Sequence, residues 1–257
     1  MLVSAAMISL SCFSKRYRNF SGKKCACAAN RVSLAAAPGS VTVLAGPNGS
    51  GKSTLMKAVY GIHCADFGSV CVSGRDGSPI SPEDDVSAAR DSVGYVPEIP
   101  ALPPRLYVAG FLLSAAQMHG MSCGEAESAV RRTASACGLE PVMGRRIGTL
   151  SKGWLQKVSF AQALVHSPPN VLLDEPMSGL DPVQTVRMRS LISELALSCT
   201  VLMSTHSMQE AERLGNMIFI MNSGRIAASG TARDICVSCG ADDLETAFVR
   251  LTAGGDR

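Results

Sequence analysis

The chain has 257 residues, 46% of them hydrophobic and 18% charged, with 24 basic against 21 acidic side chains and a net charge of +3. That length holds one large domain or two small ones and can bury a substantial core. The longest unbroken hydrophobic runs, 25–29 and 217–221, are five residues each. A membrane-spanning helix needs about 20, and so small a net charge does not point to nucleic acid.

The opening MLVSAAMISLSC has no basic region before its apolar stretch; Lys15, Arg16 and Arg18 come after it. It therefore reads as a β-strand over Met7–Cys12, not as a secretion signal. The ten cysteines are irregularly spaced, with tight pairs only at Cys25/Cys27 and Cys236/Cys239, and no histidine lies near either pair. Reduced thiols are the expectation, with no metal site, which places the chain in the cytoplasm. Further strands are expected at Arg31–Leu34 and Val41–Ala45, then a helix, then a strand in GSVCVSGRDG closed by a Gly-rich turn. Another spans Ser92–Val96 and stops at Pro97.

From about residue 105 to 165 the pattern turns helical. Ser122 and Glu125 form a capping-box signal, Ala126, Ala129, Val130, Thr133 and Cys137 share one helical face, and Gly138 ends it. The last part returns to strands and helices: Val171–Leu173, Thr200–Ser204, a second capping-box signal at Ser207/Glu210, and a hairpin of Met217–Met221 and Arg225–Ala228 about Asn-Ser-Gly. This order predicts an α/β fold with a parallel sheet, a helical insertion and some antiparallel strands.

Residues 46–54 read GPNGSGKST: Gly46, Pro47, Asn48, Gly49, Ser50, Gly51, Lys52, Ser53 and Thr54. A loop of small residues between an apolar strand and a helix turns backbone N–H groups inward around phosphate oxygens, and the helix N-terminus adds its dipole. Lys52 is placed to reach the outer phosphates, and the Ser53 hydroxyl to ligate Mg²⁺. The second half of such a site is VLLDE at 171–175, an apolar strand that delivers two adjacent carboxylates. Adjacent strand residues point to opposite sides. Asp174 is therefore expected to hold the metal through water, and Glu175 to activate the attacking water.

In these motifs the chain resembles the ATP-binding subunits of ABC transporters, over about residues 7–251. LSKGWLQKV at 150–158 is similar to the family's signature sequence, MSGLDP at 177–182 to its D-loop, and STH at 204–206 to its switch-histidine segment. The resemblance implies a P-loop NTPase core with a parallel sheet, an antiparallel β subdomain and a helical subdomain at about 99–165. The ATP-binding domain would cover 1–235, with 236–257 a short tail of one helix. It implies ATP and Mg²⁺ as cofactors, Tyr17 stacked on adenine, and His206 at the γ-phosphate. Ser151, Gly153 and Asp181 would act on the nucleotide of a second ATP-binding subunit in a head-to-tail dimer. It also implies a separate membrane permease, docked near 99–112, no nucleic-acid partner, and a position at the inner face of the cell membrane.

The residues themselves add that Ser151 can cap a helix running to about His166, and that Gly153 lets backbone approach an anion closely. The pattern is departed from at Glu98, where the family usually has glutamine, and at Lys152 and Trp154 in the signature. The ending DDLETAFVRLT resembles that of exporter-type subunits. Other readings are a soluble ABC-type ATPase of translation or DNA repair, a P-loop kinase, or a module that binds nucleotide without hydrolysis. One copy of each motif and no heptads oppose the first, LSKGW and STH the second, and intact Glu175 and His206 the third.

Overall fold

The structure is a computed structural model, and it describes residues 8–18 and 25–253. Met7 of the expected opening strand, the side chain of Cys25 and the last four residues lie outside that range. Two sheets organise the chain. The first is antiparallel, in the order β2-β1-β4-β5, from β1 (Ile8–Arg18), β2 (Cys25–Ala36), β4 (Phe67–Ser73) and β5 (Pro79–Ile80). The second has the order β10-β9-β3-β8-β7-β6, from β3 (Val41–Ala45), β6 (Val93–Val96), β7 (Asn170–Asp174), β8 (Thr200–Thr205), β9 (Met217–Asn222) and β10 (Arg225–Gly230). All its pairs are parallel except the β9–β10 hairpin.

The expected opening strands are longer than their apolar stretches, because β1 runs on to Arg18 and β2 begins at Cys25, and the two pair along that added length. Ser92 is the last residue of a helix, α2 (Val86–Ser92), and not the first of β6.

The short apolar runs make sense once the parallel sheet is covered on both faces. Along β3, Val41, Val43 and Ala45 enter one core while Leu44 enters the other; Leu172 of β7 and Leu202 of β8 alternate in the same way. The antiparallel sheet and α1 (Lys52–Val59) close the smaller core. The larger one is covered by the inserted helices α3 (Val108–Met118), α4 (Cys123–Cys137) and α5 (Lys152–Leu164), and by α6 (Pro182–Ala196) and α7 (Met208–Leu214). α4 starts at the predicted Ser122/Glu125 capping box and ends on left-handed Gly138.

Three local expectations are corrected. Ser207 caps α7 through the Glu210 N–H, but the Glu210 carboxylate pairs with Arg189 of α6 at 2.8 Å and does not close a box. α5 ends at Leu164, and Ser151 sits at its N-cap without a side-chain capping bond. The boundary expected at 235/236 falls inside a helix, α8 (Ala232–Cys239), which a Thr231/Asp234 capping box starts and Gly240 ends. α9 (Leu244–Thr252) follows, so this region holds two helices. Ile235, Leu244 and Ala247 are buried in the larger core, and Asn222 of β9 donates to the carbonyls of Leu251 and Thr252.

Candidate active site

β3 stops at Ala45 and the chain turns through Gly46–Gly51 into α1. Backbone bonds pin this loop to its surroundings: the Gly46 N–H donates to Thr205 O, and the Ser50 carbonyl accepts from the Gly224 N–H of the β9–β10 turn. Gly51 is left-handed (φ 106°), and a Cβ there would lie 2.0 Å from Ala28 O. The loop therefore tolerates no side chain at that point. A cavity of about 370 Å³ opens over it, lined by Asn48, Gly49, Lys52, Ser53, Glu98 and Glu175 among others.

Lys52 is 6% exposed. Its Nζ donates to Gly46 O at 2.8 Å and Pro47 O at 3.1 Å, and lies 3.7 Å from Glu175 Oε1. Burial lowers its pKa from the ordinary lysine value, against the opposing charges of Glu175 and Asp174. The Ser53 hydroxyl donates to Asp174 Oδ1 at 3.3 Å. Tyr95 donates to Asp174 Oδ2 at 3.4 Å; burial first, then Asp174, raises the Tyr95 pKa, which keeps the phenol a neutral donor.

Strand alternation does not set the directions of Asp174 and Glu175. β7 ends at Asp174, and Glu175 has left-handed backbone, φ 49°. A non-glycine residue in that region is uncommon and marks a turn or a functional constraint. The turn brings Glu175 into the wall of the loop cavity, beside Lys52. Its Oε2 lies 2.8 Å from His206 Nδ1, while buried Oε1 has no hydrogen-bond partner and faces Lys52. An orphaned carboxylate oxygen beside a lysine and a phosphate-type loop is suited to hold a water.

Ser204 was missed by sequence reasoning as a functional residue. The β7–β8 register sets it opposite Asp174. Its hydroxyl donates to Asp174 Oδ1 at 2.6 Å and accepts from the Glu175 N–H at 3.0 Å, so one fully buried side chain holds the Asp174 carboxylate and the Glu175 backbone. Replacing Ser204 by Ala orphans a buried N–H and is expected to cost about 1–3 kcal/mol of stability. Denaturant titration and phosphate release measure this; a parental midpoint together with parental turnover would remove Ser204 from the site.

Tyr17 stands at the margin, with its hydroxyl 3.5 Å from Thr54 Oγ1 and its ring edge-on to His63. The signature residues are elsewhere: Ser151, Gly153 and Asp181 do not line this cavity. Gly153 packs instead against α6, where a Cβ would overlap the Gln184 amide. Asp181 caps α6 through the Gln184 N–H. Lys152 reaches over Gly179, whose Cβ would lie 2.2 Å from Nζ. Trp154 packs on the larger core with Lys157 Nζ 4.9 Å from its ring centroid.

The donors suit Mg²⁺: a hydroxyl and a carboxylate converge at 3.3 Å, with a second carboxylate, Glu98, on the same wall. Mg²⁺ takes one or two carboxylates and completes its shell with water and phosphate. A second cavity, about 690 Å³, lies where the core meets the inserted helices, between Tyr60, Val86, Pro103, Leu106, Phe111 and Met118.

Comparison with known proteins agrees with this geometry. A family profile described as "ABC transporter" matches residues 29–178. The Nod factor export ATP-binding protein I of Burkholderia thailandensis is 36% identical over 213 residues, 81% of this chain and 67% of that protein. An uncharacterized ABC transporter ATP-binding protein, YxlF of Bacillus subtilis, is 29% identical over 89% of this chain and 72% of its own length. Among solved structures, an ATP-binding subunit of an ABC transporter superposes with a TM-score of 0.83 at 28% identity, over 95% of this chain and 99% of that one. A dimeric cassette in a post-hydrolysis state with ADP and Pi gives 0.77 at 25% identity, over 88% and 98%.

Proposed function

The chain belongs to the ABC transporter family as one of its ATP-binding, ATP-hydrolysing subunits, and from that premise we propose that it powers export through a separate membrane permease. The observation that carries the ATPase reading is Glu175, turned into the loop cavity and held between His206 and Lys52. The Gly46–Thr54 loop cradles the phosphates, and Lys52 neutralises the outer ones. Ser53 and Asp174 hold Mg²⁺, which when bound offsets the charge of the β- and γ-phosphates. Glu175 takes a proton from the attacking water, His206 orients Glu175 and meets the γ-phosphate, and Glu98 binds the metal or a water. Tyr17 stacks on adenine. Ser151 and Gly153, remote from this cavity, act on the nucleotide of a second ATP-binding subunit, with Asp181 beside them, so that two chains sandwich two ATP molecules.

Export is supported by likeness to proteins named for Nod factor export, which spans about two thirds of the first of them. No helix among the described residues is long and apolar enough to cross a membrane, so the crossing falls to a partner. The groove between core and inserted helices suits an apolar helix of that partner. Leu106 lines it and is 45% exposed, and Ile99 and Tyr107 of the same segment are 79% and 51% exposed. We expect tagged Glu175→Gln chain, recovered from detergent-solubilised membranes, to bring down a multi-spanning membrane protein. Replacing Leu106 by Glu should abolish that recovery. Recovery of ribosomes or DNA instead would favour the soluble ATPase reading.

A further inference from the structure

Three helix ends meet at the seam between the inserted helices and the core. His119 follows the last turn of α3, with its Nδ1 2.8 Å from Asp91 Oδ1 on α2. Its ring lies flat on that of His166, the centroids 3.8 Å apart and the planes 6° from parallel. His166 stands just beyond α5, the helix that carries Ser151 and Gly153 at its opposite end. Only 4% exposed, His166 has its pKa pushed down to about 3, by burial first and then by His119 and Arg75, against Asp91 and the Val93 backbone. It therefore offers a neutral ring face. Arg75, in the turn between β4 and β5, donates to the carbonyls of Asp91, His166 and Ser167, which ties the ends of α2 and α5 to one guanidinium. His119 joins α3 to that clamp with a flat ring and a nitrogen at hydrogen-bond distance from a carboxylate. Asp91 and His119 also stand in the wall of the apolar groove.

We propose that His119 is a positioning residue. By stacking on His166 and pairing with Asp91 it sets the tilt of α5, and so the placement of Ser151 and Gly153 against the nucleotide held by a second copy of this chain. A 13-residue helix is about 20 Å long, so a tilt of roughly 5° at one end moves the other by about 2 Å. Misplacement of about 1 Å is enough to lower a rate ~100-fold. The inference rests on the nucleotide-sandwich reading above.

The test uses the full chain with Glu175→Gln, measuring dimerisation against ATP concentration by sedimentation, and binding of a fluorescent ATP analogue to the dilute chain. Adding His119→Ala is expected to raise the ATP midpoint for dimerisation about fivefold or more while analogue affinity stays within about twofold. His119→Phe, which keeps the stack, should recover at least about half of the loss. Asp91→Ala, at an exposed position that does not threaten folding, should fall between. Parental midpoints in both Ala variants overturn the inference, as does a His119→Phe variant no better than His119→Ala, or an equal loss of analogue binding. If the Glu175→Gln parent itself does not dimerise with ATP, the sandwich reading falls and this inference with it.

Discussion

Replacing Glu175 by glutamine lowers ATP turnover by about 10²–10⁴-fold, the usual span for removing a general base, while ATP binding persists and a dimer accumulates. Glutamine has the same shape, so the left-handed turn at φ 49° and the contact with His206 can survive. What is lost is the proton acceptor at Oε1, which lies beside Lys52 without a hydrogen-bond partner. The substitution also removes a negative charge from beside the expected γ-phosphate position, so binding is not weakened. Phosphate release and gel filtration with and without ATP check both halves of the expectation. Parental turnover would show that another group activates the water.

Removal of the Lys52 ammonium acts at the other end of the reaction. Truncating one member of a buried, hydrogen-bonded charge pair costs about 2–5 kcal/mol. Lys52→Ala is therefore expected to weaken ATP binding about 30- to 4,000-fold. The side chain is buried beside Glu175, with its amine directed at the loop carbonyls of Gly46 and Pro47. No other described basic side chain lines the cavity. Calorimetric titration with ATP decides the point, and an affinity within about threefold of the parent would contradict it. Arginine is not a substitute here, because its planar fork differs in shape and donor geometry from a compact ammonium.

The two predictions differ in how far each rests on sequence. Lys52 is placed by local rules: an apolar strand, a loop of small residues and a helix follow one another within 41–59, and their geometry is set by neighbours along the chain. The α4 capping box and its Gly138 stop are local in the same way. The sequence leads to Glu175 as the expected base, but strand alternation is not what sets its direction. Alternation does not govern a residue beyond the end of β7; a left-handed backbone directs Glu175 to the cavity wall beside Lys52. The exchange at Glu210 is similar. A capping box is worth little once Arg189, 21 residues earlier, can donate to both carboxylate oxygens in a bidentate pair.

Motif order along the chain thus determined the α/β class, the phosphate loop, the two carboxylates and the family. Only the tertiary structure decided that Ser204 holds the Asp174 carboxylate and the Glu175 backbone, that Gly153 packs against the Gln184 amide, that the last two helices belong to the core, and that His119 stacks on His166. Loops and caps are governed by dihedral preferences and bonds that span a few residues. These strand-register and helix-end contacts join residues about 30 or more positions apart, and their partners are chosen by the packing of the whole core.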